Sequence, residues 1–114
     1  HRDHAQSVVF ATGHLRNGTI DLNWSALAHK NQTAVFYMGL TGLPIICEKL
    51  IEHGLPATTP IALVQQATTD DQRVLIGTLS DICAKQKEAQ LKPPTLVIVG
   101  SVVNLHDELN WFQQ

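Results

Sequence analysis

Cysteine is scarce in this chain, with only Cys47 and Cys83 among 114 residues. Two cysteines cannot form a disulfide scaffold, and without CxxC spacing they offer neither a zinc site nor a redox pair. Each sits among apolar neighbours in helix-like sequence, which predicts small buried hydrophobes in a reducing cytoplasm. An excess of basic charge is also missing. Eight Lys plus Arg stand against ten Asp plus Glu, a formal charge of -2 with a pI near 6.3. A dedicated nucleic-acid surface needs a basic stripe, so none is expected. No apolar run approaches the ~18 residues of a membrane span, and no cationic start leads into an apolar export segment. A soluble, cytoplasmic protein follows. The six histidines, at positions 1, 4, 14, 29, 53 and 106, lack the i, i+4 pairing of a helical metal site, and no metal is expected. GxGxxG, Walker, GxSxG and HExxH motifs are all absent, so spacing alone identifies no reaction.

What the chain does have is core-forming material. It is 44% apolar and 16% charged, with a mass of 12.5 kDa. That suits one compact domain burying roughly two thirds of its unfolded surface. Five β-rich runs are predicted as strands: 7–13 (SVVFATG), 32–39 (QTAVFYMG), 61–67 (IALVQQA), 73–78 (RVLIGT) and 95–100 (TLVIVG). The last is continuously apolar, as buried central strands are. The strongest helix is 43–54, where Leu43, Ile46, Cys47 and Leu50 recur at i, i+3, i+4 and i+7. Thr41 is its expected N-cap, Pro44 falls in the tolerant first turn, and Gly54 closes it. A second helix is expected over 80–89, with Ile82 and Cys83 inward and Lys85, Lys87 and Glu88 outward. A short one is expected over 21–28, with Trp24 and Leu27 inward. Pro93 and Pro94 stop any helix from running into the fifth strand. The polar stretch 68–72 (TTDDQ) reads as a hairpin loop, and 102–112 is ambiguous between strand and helix. The expected architecture is α/β, a mixed sheet of about five strands flanked by helices.

Two strand ends stand out as ligand positions, because ligands of open α/β sheets gather outside the carboxyl ends of strands. One is Tyr37-Met38-Gly39-Leu40, whose glycine permits a sharp turn and a close approach. The other is Gln66-Ala67-Thr68-Thr69, a small residue among an amide and hydroxyls. Singly these are weak: a methionine such as Met38 is more often core than a ligand contact, and Ala67 alone indicates nothing. His14, ending Thr12-Gly13-His14, could be structural or merely exposed. His1-Arg2-Asp3 could be a solvated chain end.

Together the motifs are more specific. His1-Arg2-Asp3, Thr12-Gly13-His14, Tyr37-Met38-Gly39-Leu40 and Gln65-Gln66-Ala67-Thr68-Thr69 follow in order. They continue with Gln72-Arg73-Val74, Gly77-Thr78-Leu79, 94–100 (PTLVIVG) and Leu109-Asn110-Trp111-Phe112. This series resembles the C-terminal half of uroporphyrinogen-III C-methyltransferases, the tetrapyrrole methylase module also found at the C-terminal end of siroheme synthases. The resemblance spans essentially the whole chain. It implies S-adenosylmethionine as methyl donor, held in part by backbone at positions matching Met38 and Ala67. It also implies uroporphyrinogen III as acceptor, precorrin-2 as product for siroheme or cobalamin synthesis, and a homodimer. The acceptor carries eight carboxylates, for which Arg2 and His14 are the candidate partners by charge-assisted hydrogen bonds. No catalytic residue is assigned within the chain. The glycine-rich loop and proton-transfer groups of such enzymes belong to an N-terminal domain that this sequence lacks. The chain is therefore expected to be a C-terminal domain, 1–114, inactive alone.

Two other functions stay open at this stage. One is a non-catalytic dimerisation or binding module, and the other a methylase for a different precorrin. Heat on titration with S-adenosylhomocysteine separates the first from an enzyme half.

Overall fold

The computed structural model describes residues 7–12, 22–29, 32–37, 39–65, 73–92 and 94–100. The element order is β1 (Ser7–Thr12), α1 (Trp24–Leu27), β2 (Gln32–Tyr37), α2 (Leu43–Glu52), β3 (Pro60–Gln65), β4 (Arg73–Thr78), α3 (Ile82–Ala89) and β5 (Thr95–Val99). The five strands form one mixed sheet in the order β1-β2-β5-β3-β4. β1 and β2 are parallel, while β2–β5, β5–β3 and β3–β4 are antiparallel. β5, the continuously apolar run, is the central strand, as its pattern predicts. The α/β class and the mixed sheet agree with the sequence reading. The stretches 68–72 and 102–112 lie outside the described residues.

Strand alternation divides the sheet into two faces. The first carries Val9 and Ala11 of β1, Ala34 and Phe36 of β2, Ile61 and Leu63 of β3, Leu75 of β4, and Val97 and Val99 of β5. All three helices pack here, through Trp24 and Leu27, through Leu43, Ile46, Cys47 and Leu50, and through Ile82. The Trp24 and Phe36 rings stack, with centroids 6.1 Å apart. The second face has a smaller cluster of strand residues only, Val35, Ala62, Val64 and Ile98, with Val74, Ile76 and Leu96 against it.

α2 buries the four residues its period selects. Its N-cap is Gly42 rather than Thr41, and no side chain caps it. The Gly42 carbonyl accepts the Ile46 N–H at 3.0 Å, so backbone geometry sets this start instead of the preceding hydroxyl. The C-terminus closes as expected. Gly54, at φ 122°, donates its N–H to the Ile51 carbonyl at 3.1 Å, and Leu55 donates to Leu50 at 3.0 Å. This paired arrangement is the Schellman motif, in which only glycine takes the positive φ cheaply. Leu50 and Leu55 then both reach the core.

The other helices are shorter than the sequence suggests. α1 is a single turn instead of 21–28, with Asn23 Oδ1 accepting the Ala26 N–H at 3.3 Å. Gln32 Nε2 donates to the Ala26 and Leu27 carbonyls at 2.8 and 3.3 Å, satisfying carbonyls that a longer helix would have used. α3 begins at Ile82, two residues later than expected, because Asp81 turns its carboxylate back to the Thr78 N–H at 2.8 Å. Cys83 is half-buried rather than fully buried, whereas Cys47 is buried.

Candidate functional site

The strand directions decide where a ligand edge lies. β1 and β2 run parallel, and both β2 and β3 run against β5, so β1, β2 and β3 point the same way. Their carboxyl-terminal residues Thr12, Tyr37 and Gln65 therefore share one edge of the sheet. The amino end of β5 stands between β2 and β3, which separates those two strand ends by about 10 Å, two strand spacings.

Met38 follows Tyr37 directly, and Ala67 follows Gln65 by two residues. Met38, Ala67, Arg2 and His14 all lie outside the described residues, so none of the predicted contacts is placed. The structure does bring together the two strand ends from which Met38 and Ala67 depart.

Side chains brace this edge. Gln65 Oε1 accepts the Lys92 N–H at 2.8 Å, joining the end of β3 to the segment entering β5. Thr95, buried at the start of β5, donates its hydroxyl to the Lys92 carbonyl at 2.7 Å. Arg73, paired in register with Gln65, donates from Nη1 to the Ala89 carbonyl at 2.9 Å at the end of α3. These contacts tie β3, β4, α3 and the start of β5 together at one corner. Gln65 and Thr95 stand in the sequence motifs, but their bracing roles were not legible there, because polar residues at either end of an apolar run look like ordinary strand ends.

Gly39 has a different role from the one expected. Its φ is not in the left-handed range, and it is buried. A Cβ there would stand 3.0 Å from Ile46 Cδ1, 3.1 Å from Val97 Cγ2 and 3.2 Å from Phe36 Cβ. The close approach that this glycine permits is therefore to the core. It lets the turn into α2 press on β2 and β5.

On the second face, the rings of Phe10 and Tyr37 stack with centroids 5.8 Å apart and planes at 21°. Phe10 is 57% exposed and Tyr37 45% exposed. Tyr37 is the one exposed residue of β2. The motif around Met38 drew attention to the residue beside it, and only strand pairing reveals the partner on β1.

The opposite edge of the sheet holds a cavity of about 240 Å³, lined in part by Gln32, Leu55, Pro60, Val99 and Gly100. It is smaller than the ~300–1,000 Å³ usual for drug-sized ligands. Among the described residues, no three His, Cys, Asp or Glu side chains gather as a metal site. No described helix is long and apolar enough to cross a membrane.

The sequence profile of the Tetrapyrrole (Corrin/Porphyrin) Methylases matches residues 1–83. The siroheme synthase of Pseudoalteromonas atlantica is 68% identical over 112 residues, which is 98% of this chain and 24% of that protein. The siroheme synthase of Nitrosomonas europaea is 61% identical, again over 98% of this chain and 24% of its own length. The chain thus spans about a quarter of these curated relatives. Among solved structures, the uroporphyrin-III C-methyltransferase of Thermus thermophilus complexed with S-adenosylhomocysteine superposes with a TM-score of 0.76. It is 26% identical, and the match covers 92% of this chain and 46% of that one. A cobalt precorrin-4 methyltransferase has the same fold, with a TM-score of 0.76 at 18% identity over 89% of this chain and 43% of that one. With its profile, its relatives and its sheet in agreement, the chain belongs to the tetrapyrrole (corrin/porphyrin) methylases.

Proposed function

We propose that this chain is the C-terminal half of the methyltransferase unit of a siroheme-synthase-type enzyme. In that unit S-adenosylmethionine is the methyl donor and uroporphyrinogen III the acceptor, giving precorrin-2. The observation that carries the reading is the 68% identity to a siroheme synthase across 98% of the chain. Its neighbour's complex with S-adenosylhomocysteine supports the donor.

The sheet edge fits such a donor. The ends of β2 and β3 stand about 10 Å apart, a nucleoside-scale separation, with β5 recessed between them. Met38 and Ala67 are the positions that would hold the adenosine by backbone, and a small residue at 67 leaves room for it. When bound, the donor supplies an electrophilic sulfonium methyl. The chain's own residues bind, orient and exclude water. Arg2 and His14 would meet carboxylates of the acceptor. Proton transfer is assigned to the rest of the unit, outside this chain. A homodimer and a cytoplasmic location belong to the same reading, and the two free cysteines suit a reducing compartment.

The test compares the full-length parent with the isolated 114-residue chain, both free of host enzyme. The parent should methylate uroporphyrinogen III with S-adenosylmethionine, and the isolated chain should not. Half of the donor cleft orients and shields nothing. Turnover by the isolated chain, or a parent giving no heat with S-adenosylhomocysteine, overturns the reading.

A further inference from the structure

The exposed Phe10–Tyr37 pair is unusual for its position. β2 is otherwise buried or half-buried from Gln32 to Phe36, yet it ends in an aromatic residue turned to solvent. The register places Thr12 beside Tyr37, and both are exposed. Val9, Ala11, Ala34 and Phe36 all face the helices, so alternation puts Phe10, Thr12 and Tyr37 together on the other face. The Tyr37 ring is held by stacking on Phe10. Its hydroxyl has no hydrogen-bond partner among the described residues. An exposed phenol whose ring already rests on a neighbouring ring is a partly prepared donor, since some of the ordering of its side chain precedes the ligand.

We infer that Tyr37, braced by Phe10, is a substrate-positioning residue whose hydroxyl donates to a side-chain carboxylate of the tetrapyrrole. This rests on the function proposed above. Tyr37 ends a strand at the ligand edge and immediately precedes Met38. The adenosine reading occupies the side of β2 toward β5 and β3, whereas Phe10 and Thr12 lie on the opposite side, on β1. That leaves the β1 side to the acceptor. An octacarboxylate suits an exposed phenol, because hydrogen bonds to an ionised acceptor are the strong ones. The Thr12 hydroxyl is a second donor on the same face, and the apolar Phe10 ring can lie against a pyrrole.

The experiment uses the full-length parent and three proteins: wild type, Tyr37→Phe and Phe10→Ala. Affinity for uroporphyrin III is read from its absorption band, affinity for S-adenosylhomocysteine by calorimetry, and oligomeric state by light scattering. Tyr37→Phe removes only the hydroxyl. It should weaken uroporphyrin III binding about tenfold, the scale of one charge-assisted hydrogen bond, and raise KM for uroporphyrinogen III alike. Its affinity for S-adenosylhomocysteine should stay within about twofold of wild type, the discrimination a specific contact requires. Phe10→Ala should shift uroporphyrin III affinity in the same direction through a looser Tyr37 ring. Unchanged uroporphyrin III affinity in Tyr37→Phe overturns the inference, as does an equal loss of both ligands. A change of oligomeric state with both affinities intact also overturns it, and makes the pair a subunit contact. A wild-type parent that binds S-adenosylhomocysteine but not uroporphyrin III overturns this inference while sparing the methyl-donor reading. A parent that binds neither overturns both.

Discussion

A Cβ placed on Gly77 would stand 2.5 Å from Oδ1 of Asp81, the oxygen that accepts the Thr78 N–H at 2.8 Å. The glycine at the end of β4 thus makes room for the carboxylate that begins α3. Ile82 Cδ1 at 3.3 Å and Lys85 Cδ at 3.2 Å close the rest of that space. The Lys85 ammonium caps the Ile76 carbonyl at 3.1 Å on the edge strand and lies 4.0 Å from Asp81. That ion pair is exposed and contributes little by itself.

Gly77→Ala should be destabilising. Reduced freedom of the unfolded chain favours alanine by about 0.4–1 kcal/mol. Overpacking against a pinned carboxylate costs about 1–3 kcal/mol and wins. The Thr78 N–H first, and then the Lys85 ammonium, hold the Asp81 carboxyl below its ordinary value near 3.8. A depressed carboxyl contributes stability above its ordinary value and loses it as pH falls through the folded one. In Gly77→Ala the Asp81 titration, followed by NMR, should move back up toward 3.8. A stabilised variant with unmoved titration would show that the carboxylate swings aside freely.

Leu50 is fully buried and lies at the closing turn of α2, where its carbonyl accepts the Leu55 N–H. Leu50→Ala should cost about 2–5 kcal/mol, read from urea denaturation. A loss under about 0.5 kcal/mol, the scale of ordinary surface substitutions, would contradict the assignment of that helix face.

Burial first, and the neighbouring Cys83 thiol second, push the Cys47 thiol from about 9.0 up to about 12. The unfolded chain therefore gives up this proton before the folded one. The stability linked to Cys47 is intact below pH about 9 and declines as pH rises toward about 12. Thermal melts across that range should show the decline, and Cys47→Ala should flatten it. At neutral pH a thiol reagent should modify the half-buried Cys83 before the buried Cys47, with the difference abolished in denaturant.

In the full-length parent, Ala67→Leu should sharply weaken affinity for S-adenosylhomocysteine with little change in melting temperature. Under the proposed function, three added carbons would fill the space assigned to adenosine against the backbone. Retained affinity with a lowered melting temperature would make Ala67 a packing position, with an overpacking cost of about 1–3 kcal/mol.

The strands, the buried stripe of α2 and its glycine stop were legible in the sequence because they are local. A 3.6-residue period, a continuous apolar run and a positive-φ glycine each act within one element. The ordered motifs around Met38 and Ala67 likewise identified the family. Helix limits were less legible. Gln32 captures the last carbonyls of α1 from six and five residues away, and Asp81 spends its carboxylate on Thr78. Only the tertiary structure decided that β5 enters between β2 and β3 and turns three carboxyl ends to one edge. It also decided that Phe10 meets Tyr37, and that Gly39 serves the core. Strand order and register depend on burial summed over both faces of the whole sheet, and no local window of sequence contains that sum.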